Sequence, residues 1–417
     1  MLSSIRYFSQ SSIHRFPRLS RNVASRIPTF RERVAAAKPF KQFKASIPQP
    51  SIRNQILFTL CASSALFVYA ANQTNQDTYL WLVVARERGK ALFRIQPSNS
   101  DLHTLKKNKL VKDAQAAYDN LMTRLQSWPL RLRHDASWLY VQIAQPILNA
   151  NEGKRVAWGL VGLSSVTWLL WKWPRAMPFM RKSFCHNPLS GRSYTLLTSM
   201  FSHQSFMHLA FNSLALSACG STVVLYLAQP EGRGLWKGGL PEADTSWHVL
   251  AFFVSAGLFA SLVSHTANAK WVFPRVIKAS TAASTAPRTT ATLVADTKAA
   301  SRKVASVIRP SLGISGAVYA GMVLTALAYP QAVANLVFLP IFPIPIQWAV
   351  GACVAFDIYG LIRGLQFFDH YAHLGGALFG ALYYLYGREG WDWLRVFLMV
   401  LDGHIKPQNL KKDEPKP

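Results

Sequence analysis

The chain has 417 residues, half of them hydrophobic, and a formal net charge of +27. Such an excess of basic residues is typical of proteins that bind nucleic acid or anionic lipid, or that carry a basic targeting segment. The four cysteines are far apart and none has metal-ligand spacing, which argues against a disulfide framework and against a zinc site. The position of the basic residues along the chain decides between the remaining classes.

The first fifty residues carry ten Lys and Arg, frequent Ser and one acid, Glu32. Their apolar residues are scattered and form no continuous hydrophobic run of the kind that a secretory signal needs. This composition predicts a mitochondrial transit peptide. The alternative is a disordered basic arm that binds nucleic acid or lipid head groups. In either case we expect residues 1–50 to lie outside the fold.

Seven uncharged apolar segments are long enough to be transmembrane helices. The first stands alone, and the other six form a compact group after a stretch of mixed charge in which short amphipathic helices are expected. The segments cover residues 56–72, 156–171, 206–228, 247–267, 313–329, about 346–362 and 371–386. The predicted fold class is therefore an all-α polytopic membrane protein, with one N-terminal transmembrane helix before a six-helix core (1+6).

The domain boundaries follow from these segments. The N-terminal transmembrane helix and its linker occupy residues 51–151, and the six-helix core occupies residues 152–388. Within the core, residues 270–310 are rich in Ala, Ser and Thr and carry eight Lys or Arg against one acid, which predicts a flexible insert. Residues 389–417 form a C-terminal tail that begins with an amphipathic patch.

A serine and a histidine inside these apolar segments point to acyl transfer, because polar groups at membrane depth are costly and are functional candidates. Ser315 stands near the start of its segment, after Gly313, and a serine hydroxyl needs a base to become a nucleophile. His373 is the candidate base. Gly376 and Gly380 share its helix face and would let a neighbouring helix pack closely. The alternative is a packing groove of small residues in which both polar groups are incidental.

Three further side chains are predicted to complete the site. His208 and Asn212 are four residues apart on one helix face, and both can donate hydrogen bonds to a developing oxyanion. The alternative for this pair is a structural hydrogen bond that joins two helices. Tyr319 lies one turn after Ser315 and is expected to stack on the imidazole of His373.

The sequence predicts no acid that would extend the Ser–His dyad to a triad. Asp369 is on the face of the candidate base but at the membrane boundary, and Asp357 in the middle of its segment is interpreted as a structural hydrogen-bonding carboxylate. His203, His265 and His370 are interpreted as interfacial or structural residues.

Three motifs in this order resemble those of the rhomboid family of intramembrane serine proteases. His208-x-x-x-Asn212 resembles the oxyanion motif, Gly313-x-Ser315-Gly316 the nucleophile motif and Ala372-His373-x-Gly375-Gly376 the base motif. The resemblance covers roughly residues 152–388. The sequence FFDHYAHLGGALFG at 367–380 is similar to the mitochondrial, presenilin-associated rhomboid-like branch.

The resemblance implies that Ser315 is the nucleophile and that His373 acts first as base and then as acid. It implies an oxyanion site made by His208, Asn212 and the Ser315 backbone N–H, with Tyr319 supporting the base. It implies no metal, no cofactor and no nucleic-acid partner. The implied location is the mitochondrial inner membrane, where the lipid bilayer would present single-pass membrane proteins as substrates. A dynamin-like fusion GTPase and a peroxidase precursor are examples from that branch.

Two other functions remain open on the sequence. A non-catalytic rhomboid-like scaffold would bind or escort membrane proteins without cutting them, although such relatives typically lack the serine or the histidine. A transporter or channel would use polar groups in broken helices, but no internal repeat is evident. The distribution of Lys and Arg between the loops is too even to assign the orientation in the membrane.

Overall fold

The computed structural model describes residues 50–87, 97–229, 240–282, 307–308, 310–336 and 339–403 of the chain. These residues are mainly α-helical, as predicted. The predicted transit peptide falls on residues 1–50, of which 1–49 lie outside the described residues. The first helices, in chain order, are α1 (Arg53–Glu87), α2 (Asn99–Arg124), α3 (Leu130–Asn149), α4 (Glu152–Leu170) and α5 (Met177–Ser183).

The second part of the chain contains the remaining helices and a small β hairpin. It begins with short helical turns at Pro188–Ser190, Thr195–Thr198 and Ser199–Phe201. π-Helical turns at Asn268–Val272 and Tyr383–Gly387 join neighbouring helices. The elements are α6 (Phe206–Leu227), α7 (Ser246–Ala267), α8 (Phe273–Ala282), α9 (Ser315–Ala328), β1 (Val333–Leu336), β2 (Leu339–Pro345), α10 (Ile346–Arg363), α11 (His370–Leu382) and α12 (Arg388–Leu401).

Among the described residues, four helices are long and apolar enough to cross a membrane. They are Arg53–Glu87, Phe206–Leu227, Ser246–Lys278 and Ile346–Arg363. α9 is also apolar but has only 14 residues, and α4 and α11 occupy the two remaining predicted segments. A helix therefore stands at each of the seven predicted positions, while the 1+6 count of membrane spans stays a prediction.

The N-terminal helix is about twice as long as predicted, because the polar residues after position 72 do not end it. Asn75 exchanges two hydrogen bonds with Arg395 of α12, so this polar stretch of α1 is buried against the core. The predicted linker differs as well. Instead of short helices it contains the antiparallel pair α2 and α3, in which the hydroxyl of Tyr140 donates to the carbonyl of Ala114.

The first part of the predicted flexible insert is helical. Residues 270–282 continue from α7 through a π-helical turn into α8. Phe273, Val276 and Ile277 recur at helical spacing and pack against Ile308, which explains why this part is ordered into a helix. Residues 283–306 and 309 of the insert lie outside the described residues.

The proline-rich stretch that follows α9 forms strand β2, which pairs with β1 in an antiparallel hairpin. Prolines are tolerated there because both strands are edges.

α9 and α11 lie very close together because glycines stand at their contact. A Cβ atom added to Gly376 would be 2.0 Å from the carbonyl oxygen of Gly316, and one added to Gly380 would be 2.3 Å from that of Ala320. Such backbone-to-backbone contact is what small-residue helix faces allow. This contact, predicted from the glycine spacing of the last segment, brings the first turns of the two helices side by side.

Two polar clusters hold the opposite ends of the helix bundle. At one end, the buried Arg395 of α12 pairs with Glu242 at 3.1 Å, and Lys106 of α2 pairs with Asp244, just before α7. At the other end, Nε2 of His265 lies 2.9 Å from the carbonyl oxygen of Ser51, so the start of α1 meets the last turn of α7. The α2–α3 pair is therefore attached at the end of the bundle that is remote from Ser51.

Candidate active site

Ser315 is the first residue of α9 and follows a turn that only glycine adopts readily. Gly313 has a φ of +118°, where a side chain would be strained, and its N–H donates to the carbonyl of Ser199 at 3.0 Å. A Cβ atom on Gly313 would also lie 3.0 Å from Cε1 of His208. The glycine thus lets the His208 imidazole lie against the backbone just before the serine.

The hydroxyl of Ser315 meets the imidazole of His373 across the α9–α11 contact. Oγ of Ser315 lies 2.9 Å from Nε2 of His373. The ring of Tyr319 stacks on this imidazole, with centroids 4.4 Å apart and planes 11° apart. His373 is only 7% exposed, whereas Ser315 is partly exposed. The structure therefore brings together the predicted nucleophile, base and stacking partner.

The structure differs from the prediction of a dyad without an acid. Asp357 of α10 is buried, and its Oδ1 lies 3.0 Å from Nδ1 of His373. The hydroxyl of Tyr319 donates to Oδ2 of the same carboxylate. Ser315, His373 and Asp357 thus form a hydrogen-bonded chain of the kind that defines a Ser–His–Asp triad. The carboxylate assigned to a structural role is in direct contact with the candidate base.

A second histidine binds the same carboxylate. Nδ1 of His370 lies 2.5 Å from Oδ1 of Asp357, and the His370 side chain is buried. Sequence reasoning interpreted His370 as interfacial or structural. The signal that could have identified it is its spacing of three residues from His373, which puts both imidazoles on one face of α11. A buried carboxylate needs hydrogen-bond donors, and Asp357 has three.

Asp369, the other acid considered, has a different task. Its side chain accepts a hydrogen bond from the N–H of Ala372 and so caps α11. It also accepts hydrogen bonds from the hydroxyls of Ser264 on α7 and Ser311 before α9. These contacts fix the beginning of α11, where the candidate base lies, and they involve the Asp369 carboxylate with α7 and the segment before α9 rather than with His373.

The two predicted oxyanion donors lie at the start of α6. The hydroxyl of Ser205 caps this helix by accepting from the N–H of His208. Nδ2 of Asn212 donates to the carbonyl of His208 at 2.8 Å, which uses one of its two amide hydrogens. Of these two side chains, the His208 ring packs on the turn before the candidate nucleophile. The N–H groups of Ser315 and Gly316, the first two residues of α9, add backbone donors, because helix geometry gives them no intrahelical acceptor.

The described part of the chain contains no cluster of three or more His, Cys, Asp or Glu side chains arranged to hold a metal ion. The histidines around the site contact Asp357 or one another. Besides the pair on Asp357, the ring of His203 packs on that of His208 with centroids 5.0 Å apart. The groups that this site presents are a serine hydroxyl, imidazoles and a carboxylate.

Sequence comparisons show which known proteins this chain is similar to. The Rhomboid domain family profile matches residues 190–389. Presenilin-associated rhomboid-like protein A, mitochondrial, of Danio rerio is 30% identical over 240 residues, which are 57% of this chain and 49% of that protein. The human presenilin-associated rhomboid-like protein, mitochondrial, is 29% identical over 242 residues, 58% of this chain and 50% of that protein.

A yeast relative extends the comparison. Rhomboid protein 1, mitochondrial, of Saccharomyces cerevisiae is 24% identical over 233 residues, 55% of this chain and 52% of that protein. The matched region thus spans about half the length of each of these relatives. No solved structure matches the chain significantly. The residues that match the profile include every side chain of the site described above, and these comparisons identify residues 190–389 as a rhomboid domain that is similar to the mitochondrial presenilin-associated rhomboid-like proteins.

Proposed function

We propose that this chain is an intramembrane serine endopeptidase, with Ser315 as nucleophile and His373 as general base. The observation that carries the proposal is the distance of 2.9 Å between Oγ of Ser315 and Nε2 of His373, in two helices that are mostly apolar. Nucleophile and base within hydrogen-bond reach, with the base oriented by a third group, is the signature of covalent catalysis. Asp357 supplies that third group.

The reaction proceeds in two steps. Oγ of Ser315 attacks the scissile carbonyl carbon while its proton passes to Nε2 of His373, and a tetrahedral oxyanion forms. Collapse breaks the C–N bond, the departing amine takes the proton from His373, and an acyl-enzyme remains. Water then attacks the acyl carbon and gives a proton to Nε2 of His373. Collapse of the second tetrahedral intermediate breaks the bond between the acyl carbon and Oγ of Ser315, His373 returns its proton to Oγ, and the acid product leaves. The partial exposure of Ser315 supports access of water to the acyl group.

The oxyanion is stabilised by the backbone N–H of Ser315 at the start of α9, with the His208 and Asn212 side chains as additional donors. Preorganised donors of this kind are each worth about 10²–10³-fold in rate. The position of the His208 ring against Gly313 supports its part in this role. For Asn212 the second amide hydrogen serves the oxyanion, because the first is bound to the His208 carbonyl.

The proposed substrates are single-pass membrane proteins of the mitochondrial inner membrane. The names of the relatives carry the word mitochondrial, and the membrane-capable helices support a location in a bilayer. A scissile peptide must be extended to enter the site, so a substrate helix has to unwind after it leaves the lipid. A dynamin-like fusion GTPase and a peroxidase precursor are the candidate substrates that the family resemblance suggests.

A fluorophosphonate probe tests the proposal, because it reacts covalently with activated serines. We expect the purified full chain to be labelled, Ser315→Ala to be unlabelled and His373→Ala to be labelled at least about 10²-fold more slowly. Ser217→Ala is the matched control, since Ser217 donates to a carbonyl within α6. Labelling of Ser315→Ala at the wild-type rate contradicts the proposal. Binding of a transmembrane peptide without labelling or cleavage supports the scaffold instead.

A further inference from the structure

We propose that His370 is a positioning residue for this reaction: as a neutral imidazole it donates a hydrogen bond from Nδ1 to Asp357 and so keeps that carboxylate aligned on His373. The inference rests on the proposed function. His370 acts through Asp357, since it binds the carboxylate and the carboxylate binds the base.

The geometry requires two donors on one oxygen. Oδ1 of Asp357 lies 2.5 Å from Nδ1 of His370 and 3.0 Å from Nδ1 of His373. An ionised carboxylate only accepts hydrogen bonds, so each Nδ1 must carry a hydrogen. The His373 tautomer with hydrogen on Nδ1 leaves the lone pair on Nε2 facing Ser315, as a general base requires. Because Tyr319 occupies the other oxygen, His370 and Tyr319 together fix the plane of the carboxylate.

Burial indicates which form His370 adopts. Its side chain and that of Asp357 are 2% and 1% exposed, and Nε2 of His370 has no hydrogen-bond partner among the described residues. A protonated ring would bury an unbonded N–H and a second charge, whereas the neutral ring buries only a lone pair. The ring fits against α10 because Gly360 has no side chain: a Cβ atom there would lie 2.4 Å from Nε2.

Loss of this donor changes the orientation of the base more than the binding of substrate. Without His370, Oδ1 of Asp357 accepts a hydrogen bond from His373 alone. The carboxylate can then rotate while it keeps the hydrogen bond from the Tyr319 hydroxyl to Oδ2. Small misplacements of catalytic groups cost up to about 10²-fold in rate. The expected signature is a fall in kcat of about 10–100-fold with a KM within about twofold of the wild-type value.

Three substitutions of His370 test the position of the donor, with the full chain cleaving a model transmembrane substrate in proteoliposomes. His370→Asn can place its Nδ2 where Nδ1 stood, so we expect most of kcat to be retained. His370→Gln carries its amide further from the helix, near the former Nε2, and His370→Leu has no donor; both are expected to show the full loss. Equal kcat for the Asn and Gln variants overturns the proposal, even if the Leu variant does not fold.

A double substitution separates positioning from a general structural role. We expect His370→Leu to slow fluorophosphonate labelling in the wild-type background but to add less than about twofold in an Asp357→Asn background, where its partner is altered. An undiminished effect of His370→Leu in that background overturns the proposal.

The same experiments distinguish this inference from the proposed function. Cleavage and labelling that depend on Ser315 but are unchanged in His370→Leu refute the role of His370 and leave the protease assignment intact. Wild-type protein that neither cleaves nor is labelled refutes the protease assignment and the role of His370 with it.

Discussion

At the scale of single residues, the proposed role of Ser315 as nucleophile depends on which nitrogen of His373 carries the hydrogen. The contact between Asp357 and Nδ1 selects the tautomer with a free lone pair on Nε2, which faces the hydroxyl. The Tyr319 ring, parallel to the imidazole, prevents it from tilting out of this plane. One carboxylate and one aromatic ring therefore define both the protonation and the direction of the base.

Substitution Asp357→Asn is expected to lower kcat by about 10²–10⁴-fold while the protein stays folded. The asparagine can turn its NH₂ group toward Nδ1, which favours the tautomer with hydrogen on Nε2 and removes the base, as in serine proteases with the same change. Steady-state cleavage of a transmembrane substrate measures the loss. Asp113→Asn on the exposed face of α2 is the control. A kcat within threefold of the wild-type value would show that Asp357 is not coupled to the base.

The two contributions of Tyr319 can be separated. Tyr319→Phe keeps the ring on His373 but removes the hydroxyl that binds Asp357, so a loss of about tenfold in kcat is expected from one missing hydrogen bond. Tyr319→Leu removes the stacking as well and should lose more. Cleavage rates of the two variants give the comparison, and equal rates would mean that the ring does not orient the imidazole.

The sequence identifies some of these residues and not others for a physical reason. Ser315, His373 and the stacked Tyr319 follow from the glycines around them and from helical spacing, which are local properties. Asp357 could not be assigned because α10 is apolar on all sides, so its rotation toward α11 is set only by tertiary packing. When the position of α11 is known, the spacing of His370 and His373 shows which face of that helix contacts the Asp357 carboxylate.

At the scale of helices, the α9–α11 contact aligns nucleophile and base. Gly376→Ala places a methyl group against the Gly316 carbonyl, where the separation would be 2.0 Å. The helices must move apart, so we expect destabilisation of about 1–3 kcal/mol and loss of cleavage. Thermal unfolding in detergent measures it. Gly351→Ala is the matched control, because a Cβ there has nothing within 4 Å. Equal unfolding temperatures for the two variants would contradict this account.

The helix ends were harder to predict than the helix positions. Each of the seven predicted segments contains a helix, because long apolar runs have few alternatives. The predicted end of α1 was wrong. Asn75 and its polar neighbours look like the end of a helix in the sequence, but in the structure Arg395 binds Asn75 and the helix continues. The helical start of the insert was missed because its Ala, Ser and Thr residues conceal three apolar residues at helical spacing. Both errors concern contacts between residues distant in sequence.

The attachment of α2 predicts a pH dependence of stability. The hydrogen bond from His103 to Glu152 raises the pKa of His103 above its usual 6.5, and burial opposes this only in part. A raised pKa means that the stabilisation is complete below the unfolded value and is lost as pH rises through the folded value. The unfolding-temperature difference between wild type and His103→Gln should therefore shrink from pH 6 to pH 9. If the difference in unfolding temperature stayed constant over this pH range, the charged form of His103 would not contribute to stability.

At the scale of the whole molecule, the candidate site and the α2–α3 pair lie at opposite ends of the helix bundle. Ser51, the end of α7 and the start of α9 are linked at one end through His265, His186 and Ser311. α2 is attached at the other end, through Lys106 and Asp244. Ser315 therefore lies toward the end at which α1 begins, and we expect α2–α3 to lie on the other side of the membrane.

This arrangement predicts opposite accessibility for two exposed positions. Lys182 lies in the last turn of α5, on the side of the site, and Asp119 lies on α2. In a chain whose four cysteines are replaced, a membrane-impermeant maleimide should label only one of Lys182→Cys and Asp119→Cys in sealed, uniformly oriented vesicles. Both should be labelled after detergent is added. Whichever is labelled from outside identifies the compartment that Ser315 faces, because Lys182 shares its side. Labelling of both positions from the same side of intact vesicles would mean that α2–α3 fold back across the bilayer and that the two ends are not separated by it.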